Sequence, residues 1–281
     1  MTPLDTGKAI AALRKEAGYT QAALAEALEV SDKAVSKWER GIACPDITLL
    51  PKLSVLLDVD IEGLLKGESV QRGDRWRGVL VLDELASYPI YSKPLVYLML
   101  QHYLLVGIRD ILIIGGNAKN ILGNGEQYGV KFSYAREPFA DALLRNNQFI
   151  SSNTMIIYSN ILLYGANLTR KYQNMMYHAG KAVVMKTNNG VRLPLLFAPE
   201  SEWNKVRQRV PYWKDAEDMI EDFNPTEKAF TRGIVAIPMN NKDQLMKAST
   251  FVQIIEDSEN REIADLNEIA RSRGLVHIPR G

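Results

Sequence analysis

Apolar residues recur at helical spacing through the first part of the chain. The clearest repeat is Ala23, Leu24, Ala27 and Leu28, followed by Ala34, Val35 and Trp38. Thr20 predicts an N-cap for the first of these two helices and Ser31 for the second, Gly41 ends the second, and only Glu29 and Val30 lie between them. At about 100° per residue, Ala34, Val35 and Trp38 fall on one side of the second helix, and Asp32, Lys33, Ser36, Lys37 and Arg40 on the other. One face is core; the other is offered to something polar. From residue 76 the texture changes to short β-branched and leucine-rich runs at 78–82, 110–114, 131–134, 155–158 and 182–186. Helical patterns alternate with them, the best marked at 93–106 with Pro94 in its first turn and Gly107 at its end. Strands alternating with helices predict an α/β layer on a mostly parallel sheet. A polar stretch at 66–75 separates the two textures and reads as a linker. The predicted organisation is a multidomain chain, with an all-α head at 1–66, a linker at 67–76 and an α/β domain at 77–281.

Composition changes this picture little. The 281 residues are 46% hydrophobic and 24% charged, with a net charge of +1, and that length suggests two domains. The opening residues lack a basic and an apolar region of the signal-peptide kind, and no run approaches the roughly 18 apolar residues of a membrane span. The expectation is a soluble, unexported, cytoplasmic protein with no membrane partner. Cys44 is the single cysteine and cannot form an internal disulfide, and His102, His178 and His277 show no metal-ligand spacing.

The capped helix pair resembles the helix-turn-helix of the Cro and phage-repressor type. The likeness continues through Pro45, Asp46 and Ile47, a further helix around 49–57 and the segment 60–65, and covers about the first 66 residues. It implies double-stranded DNA as partner, with the second helix in the major groove and the first meeting phosphate through its N-terminus. Carried over, Gln21 becomes a backbone contact, and Asp32, Lys33, Ser36 and Lys37 become base readers, with Ser31 and Arg40 flanking them. Glu29 departs from the pattern, because a glycine suited to positive φ is common there. Residues 1–70 hold eight Lys plus Arg against eleven Asp plus Glu, a net charge of minus three. Since affinity grows with the number of phosphates neutralised, useful binding implies at least two copies. The expectation is a homodimer or higher homo-oligomer formed mainly by the C-terminal domain; the apolar stripe Leu245, Ala248, Phe251, Val252 and Ile255 has the domain core as its default place and a dimer contact as the alternative.

The second half resembles the sugar-phosphate nucleotidyltransferases, nearest to the glucose-1-phosphate thymidylyltransferases. The blocks that carry the likeness are PIYSKPLVY at 89–97, VGIRDILII at 106–114, GNGEQYGV at 123–130, NILLYG at 160–165 and LMKASTFVQIIE at 245–256, in that order. A Rossmann-like, mostly parallel nucleotidyltransferase-like fold is implied from about residue 77 to the C-terminus. The family's glycine-rich loop G-G-x-G-T-R-L after the first strand, which cradles nucleotide phosphates, is shortened here by roughly a dozen residues, and Asp83 and Glu84 stand where phosphate would approach. Lys93 matches a structural lysine of the pattern rather than the phosphate-binding one. The two aspartates that hold Mg²⁺ in that family fall on Asn160 and Pro238. Phosphoryl chemistry needs such hard carboxylates, so the expectation is a pseudoenzyme, with no catalytic residue, no metal and no cofactor.

The resulting reading is a sequence-specific DNA-binding transcriptional regulator. Its inactive nucleotidyltransferase-like domain would serve ligand sensing, oligomerisation or both. Gly115, Gly116, Asn117 and Asn160, in loops at the expected end of the sheet, are the candidate ligand residues, for a neutral sugar or a compact ligand with at most one phosphate. The alternative is an active sugar-phosphate nucleotidyltransferase with an accessory DNA-binding domain.

Overall fold

The computed structural model describes residues 3–57, 59, 64–65, 76–165, 167–177, 180–229 and 233–276. The predicted linker before Trp76, and His178 and His277, lie outside the described residues. The chain divides into two compact units, one of residues 1–71 with 272–274 and the other of residues 72–271 with 275–281.

The first unit is helical: α1 (Pro3–Glu16), α2 (Gln21–Leu28), α3 (Asp32–Glu39), a 3-10 turn at Ile47–Leu49 and α4 (Leu50–Leu56). The cap chemistry is local and explains the element boundaries. Thr20 accepts from the Ala23 N–H and Ser31 from the Ala34 N–H, satisfying amides that a helix start leaves open. Glu29 sits at φ 60°, the left-handed region where the turn calls for glycine, and its N–H closes α2 onto the Ala25 and Glu26 carbonyls. Its side chain reaches Lys52 at 2.7 Å. Leu24, Leu28, Val35, Trp38 and Leu53 form the core with Ile10 and Leu13. Gly7 lets α1 cross the end of α3 backbone against backbone, since a Cβ there would lie 2.0 Å from the Trp38 carbonyl oxygen.

The second unit is built on a seven-stranded sheet in the order β10-β8-β9-β6-β1-β4-β5. Its strands are β1 (Trp76–Leu82), β4 (Asp110–Gly115), β5 (Lys131–Ala135), β6 (Asn153–Ile157), β8 (Val183–Lys186), β9 (Arg192–Ala198) and β10 (Thr226–Ala229). Trp76, assigned to the linker from sequence, opens β1. The β1–β4, β1–β6, β4–β5 and β8–β10 pairs are parallel, and β9 runs antiparallel between β6 and β8. A separate ribbon pairs β7 (Ile161–Gly165) with β11 (Ile234–Pro238).

Both faces of the sheet are covered, so its central strands read as nearly continuous apolar runs. Leu80, Ile111, Ile113, Met155 and Phe197 point to one layer of helices, which includes Leu95–Leu105, Leu168–Tyr177 and Lys242–Glu259. Val79, Leu112, Ile156, Val184 and Leu196 point to the other, with Phe139–Arg145, Glu200–Val206 and Ala216–Phe223. Tyr103 lies over Gly78, where a Cβ would stand 2.7 Å from its ring. Its hydroxyl donates to the Val79 carbonyl at 2.6 Å and accepts from the Ile157 N–H at 3.1 Å, tying the helix to β1 and β6. Burial pushes the neighbouring His102 imidazole down to about 3, so it is neutral core.

The helix expected from residue 93 starts at Leu95 instead. Lys93 and Pro94 form β3, paired with β2 (Pro89–Ile90). The reason is steric: a residue before proline is pushed out of the α region. Pro94 itself is extended at ψ 141°. Among the described residues no helix is long and apolar enough to cross a membrane.

Candidate nucleic-acid interface and ligand cavity

In the head, α3 turns Val35 and Trp38 inward and leaves Ser31, Asp32, Lys33, Lys37 and Arg40 exposed, with Ser36 half-buried. Asp32 complements the partial positive charge of the helix N-terminus. Lys33 and Lys37 stand on the free face and form no ion pair among the described residues. Arg40 is folded back, its Nε donating to the Ser36 carbonyl at 3.2 Å. Gln21, at the start of α2, is engaged rather than free. Its amide donates to Glu39 at 2.7 Å, and Arg14 donates to the same carboxylate at 2.5 and 3.2 Å. This nearly buried network joins α1, α2 and the end of α3, and so fixes the angle at which α3 is presented.

The Glu39 carboxyl carries the energetics of that network. Burial pushes its pKa up, but hydrogen bonds from Arg14 and Gln21 and the charges of Arg14 and Lys15 outweigh this, leaving it below the ordinary glutamate value. A lowered folded pKa contributes stability that is complete above the unfolded value of about 4.3 and is lost as pH falls through the lower folded one. Circular-dichroism melts of the protein between about pH 3 and 6 are expected to show the helical head weakening toward acid, with a shallower dependence in Glu39→Gln. Identical pH profiles for the two proteins would contradict the assignment.

In the second unit a cavity of about 850 Å³ opens beside the C-terminal ends of β1 and β6, with Val81, Tyr158, Ser159 and Asn160 in its wall. The chain leaves β1 for β4 and β5 on one side and returns to β6 on the other. This is the topological switch point at which open α/β sheets bind ligands. Pro194 of β9, Pro238 of β11, Asn240 and residues 214–217 complete the wall, with Arg192 and Lys214 its cations. Arg192 is paired with Glu227 at 3.0 Å. Tyr158 is pushed up to about 12, first by burial and then by the Glu217 charge, so its hydroxyl stays protonated and donates to the Leu193 carbonyl at 3.3 Å.

Asn160 is the distinctive residue of this wall. It is 2% exposed, and its Nδ2 donates to the Asp83 carboxylate at 2.7 Å. Because an ionised carboxylate only accepts, this bond fixes the amide orientation. The other end, Oδ1, is buried with no hydrogen-bond partner among the described residues. Asp83 is held in turn at the end of β1 by the Leu85 N–H at 2.8 Å. Pro238 pairs with Ile161 across the ribbon and offers no side-chain donor. The two positions where the resemblance implies metal carboxylates therefore do not fit a divalent cation, and no step is derived through one.

Gly115 and Gly116 are placed by packing rather than by the cavity. A Cβ on Gly115 would lie 2.4 Å from the Leu82 carbonyl oxygen, and one on Gly116 3.0 Å from the Leu82 side chain. Neither these glycines nor Asn117 are among the cavity's lining residues, whereas Asn160 is. Lys93 stands in a structural pair, 2.8 Å from Glu262 and 3.6 Å from Glu256.

Comparison with known proteins joins both halves. A helix-turn-helix family model matches residues 10–64. A glucose-1-phosphate thymidylyltransferase from Mycolicibacterium smegmatis is 33% identical over 234 residues, covering 67% of this chain and 81% of that protein. The chain belongs to the glucose-1-phosphate thymidylyltransferase family. A family member from Neisseria meningitidis is 25% identical over 235 residues, covering 67% of this chain and 82% of its own length. A crystal structure from Bacillus anthracis, named for the same activity and holding a sucrose, superposes with a TM-score of 0.52 at 12% identity, over 63% of this chain and 94% of that one. It shows the shared fold. The architecture is thus a helix-turn-helix head fused to a glucose-1-phosphate thymidylyltransferase-type α/β domain.

Family membership corrects one expectation. The shortened loop, Asn160 and Pro238 led to the reading that the chain is not an enzyme, but the relatives it matches are named as thymidylyltransferases.

Proposed function

We propose that the chain is a sequence-specific DNA-binding transcriptional regulator that takes a sugar or sugar phosphate in the cavity of its second unit and works as a homodimer in the cytoplasm. DNA binding is assigned to Gln21, Ser31, Asp32, Lys33, Ser36, Lys37 and Arg40. The observations that carry the ligand reading are the cavity at the C-terminal ends of β1 and β6 and, in its wall, Asn160, whose buried Oδ1 has no hydrogen-bond partner among the described residues. Leaving such a group unsatisfied costs about 1–3 kcal/mol, and a ligand hydroxyl donating to it removes that penalty. Asp83 disfavours several phosphates beside Asn160, and in the cavity wall Arg192 and Lys214 are balanced by Asp215 and Glu217, which suits a neutral sugar or at most one phosphate.

Ligand that binds only the folded state raises the melting temperature by mass action. Glucose 1-phosphate is expected to stabilise the second unit in a thermal-shift titration, and Asn160→Leu to weaken that binding about 5- to 150-fold. Absence of any shift from glucose 1-phosphate, dTDP-glucose and glucose at millimolar concentration would sink the ligand reading. A second reading is favoured by the named activity of the relatives: a nucleotidyltransferase carrying an accessory DNA-binding head. Formation of dTDP-glucose from glucose 1-phosphate and dTTP with Mg²⁺, measured on the same preparation, supports that reading.

A further inference from the structure

The cavity of the second unit is longer than one sugar. Its wall draws on the ends of four adjacent strands: Val81 of β1, Tyr158 just past β6, Pro194 of β9 and Thr187 just past β8. Because β9 runs antiparallel between β6 and β8, its first residues lie at the same edge as the last residues of its neighbours. The Tyr158 N–H donates to the Pro194 carbonyl at 3.1 Å and ties that edge together. Three spacings of about 4.8 Å separate β1 from β8, about 14 Å in all, and a pyranose ring is little longer than one of them. The volume agrees, since about 850 Å³ lies near the top of the roughly 300–1,000 Å³ range of small-molecule sites.

The two ends both offer uncharged hydrogen-bonding groups. At the β1–β6 end stands Asn160, with its unsatisfied Oδ1. At the other end the β8–β9 hairpin carries Asn189. This hairpin is fixed from within. The Thr187 N–H donates to the Val191 carbonyl at 2.8 Å, the Val191 N–H to Thr187 Oγ1 at 3.0 Å, and Gly190 takes the turn at φ 86°. The Thr187 hydroxyl donates to Asn189 Oδ1, which leaves the Asn189 amide hydrogens without a partner among the described residues. Charges near this end cancel: Arg192 is paired with Glu227 at 3.0 Å, and Lys214 shares the wall with Asp215 and Glu217.

We propose that the cavity takes a neutral glycan of two or more sugar units, with its terminal unit against Asn160 and the next toward Asn189. Between the two, Tyr158, Leu193 and Pro194 supply apolar surface for the carbon faces of the rings. A sugar nucleotide has the length but not the charge. It brings two phosphates to a wall whose charges cancel and whose Asn160 end is held by the Asp83 carboxylate. The rigid hairpin presents Asn189 without further ordering, which lowers the cost of binding an extended ligand.

This inference rests on the sugar reading above and deepens it by naming the ligand's length and charge. The test is calorimetric titration of the full chain with glucose, maltose, cellobiose, their trisaccharides, glucose 1-phosphate and dTDP-glucose. At least one neutral oligosaccharide is expected to bind about tenfold tighter than glucose, and tighter than dTDP-glucose. Asn189→Ala is expected to cut the ratio of oligosaccharide to glucose affinity about fivefold, whereas Asn160→Leu weakens every sugar ligand together. Asn189 is exposed, so an unchanged melting temperature without ligand is the folding control. Binding of glucose or glucose 1-phosphate with no oligosaccharide tighter than glucose overturns the extended site while the sugar reading stands. So does dTDP-glucose binding tighter than every oligosaccharide, or an unchanged ratio in a folded Asn189→Ala. No binding by any of these ligands overturns both.

Discussion

Replacing Arg14 with alanine is expected to destabilise the helix-turn-helix head by about 3–5 kcal/mol, a large share of what holds a small domain folded. The guanidinium makes two bonds to Glu39, with side-chain exposures of only 10% and 8%. Removing it leaves a nearly buried carboxylate with only the Gln21 amide. The penalty is for the uncompensated charge, not for the loss of a favourable pair. Accordingly, Arg14→Met combined with Glu39→Leu is expected to recover most of the lost stability, because apolar replacement of both partners is often neutral or better. Melting followed by helical circular dichroism checks both variants. An Arg14→Ala melt within about 0.5 kcal/mol of wild type, the range of surface substitutions, would contradict the network's role.

The second large effect is on recognition. Lys37 stands exposed on the polar face of α3, opposite Val35 and Trp38. A lysine donating to a guanine edge discriminates by about 1–3 kcal/mol. Lys37→Ala is therefore expected to weaken binding to a selected duplex by roughly 5- to 150-fold and to relax the preference at one base pair. Gln21→Ala acts differently. It should weaken all sequences alike, and, because the Gln21 amide also holds Glu39, it should lower the melting temperature of the head as well. Binding unchanged in both variants, measured by fluorescence anisotropy, would contradict the placement of α3 in the groove.

Much of the head was legible because its determinants are local. Thr20 and Ser31 each cap a helix through a bond three residues away, and the left-handed turn at Glu29 follows from the two-residue gap. The second unit was legible where strands alternate with helices. It was not legible at β9, where Pro194 interrupts an apolar run and argues against a strand. Nor does an isolated segment carry its own direction, and β9 is reversed in a mostly parallel sheet by its neighbours β6 and β8. The cavity was partly readable. Asn160 could be singled out by position, but its bond to Asp83, 77 residues earlier, is tertiary and left no local trace. Gly115 and Gly116 show the opposite limit. A glycine marks a close approach without saying what approaches, and here it is the end of β1.

A regulator of the proposed kind binds a specific DNA sequence and a sugar ligand on one chain, and its ligand acts by changing its affinity for DNA. The direct measurement is the affinity of the full chain for a duplex enriched from a random pool, with and without glucose 1-phosphate at a concentration that saturates the thermal shift. An enriched sequence with two half-sites about one helical turn apart is expected. A ligand-dependent change in DNA affinity of about 5- to 150-fold is expected as well, mirrored by an equal change in ligand affinity when DNA is bound. Failure to enrich any sequence, or a DNA affinity that stays the same while glucose 1-phosphate occupies the cavity, would contradict it.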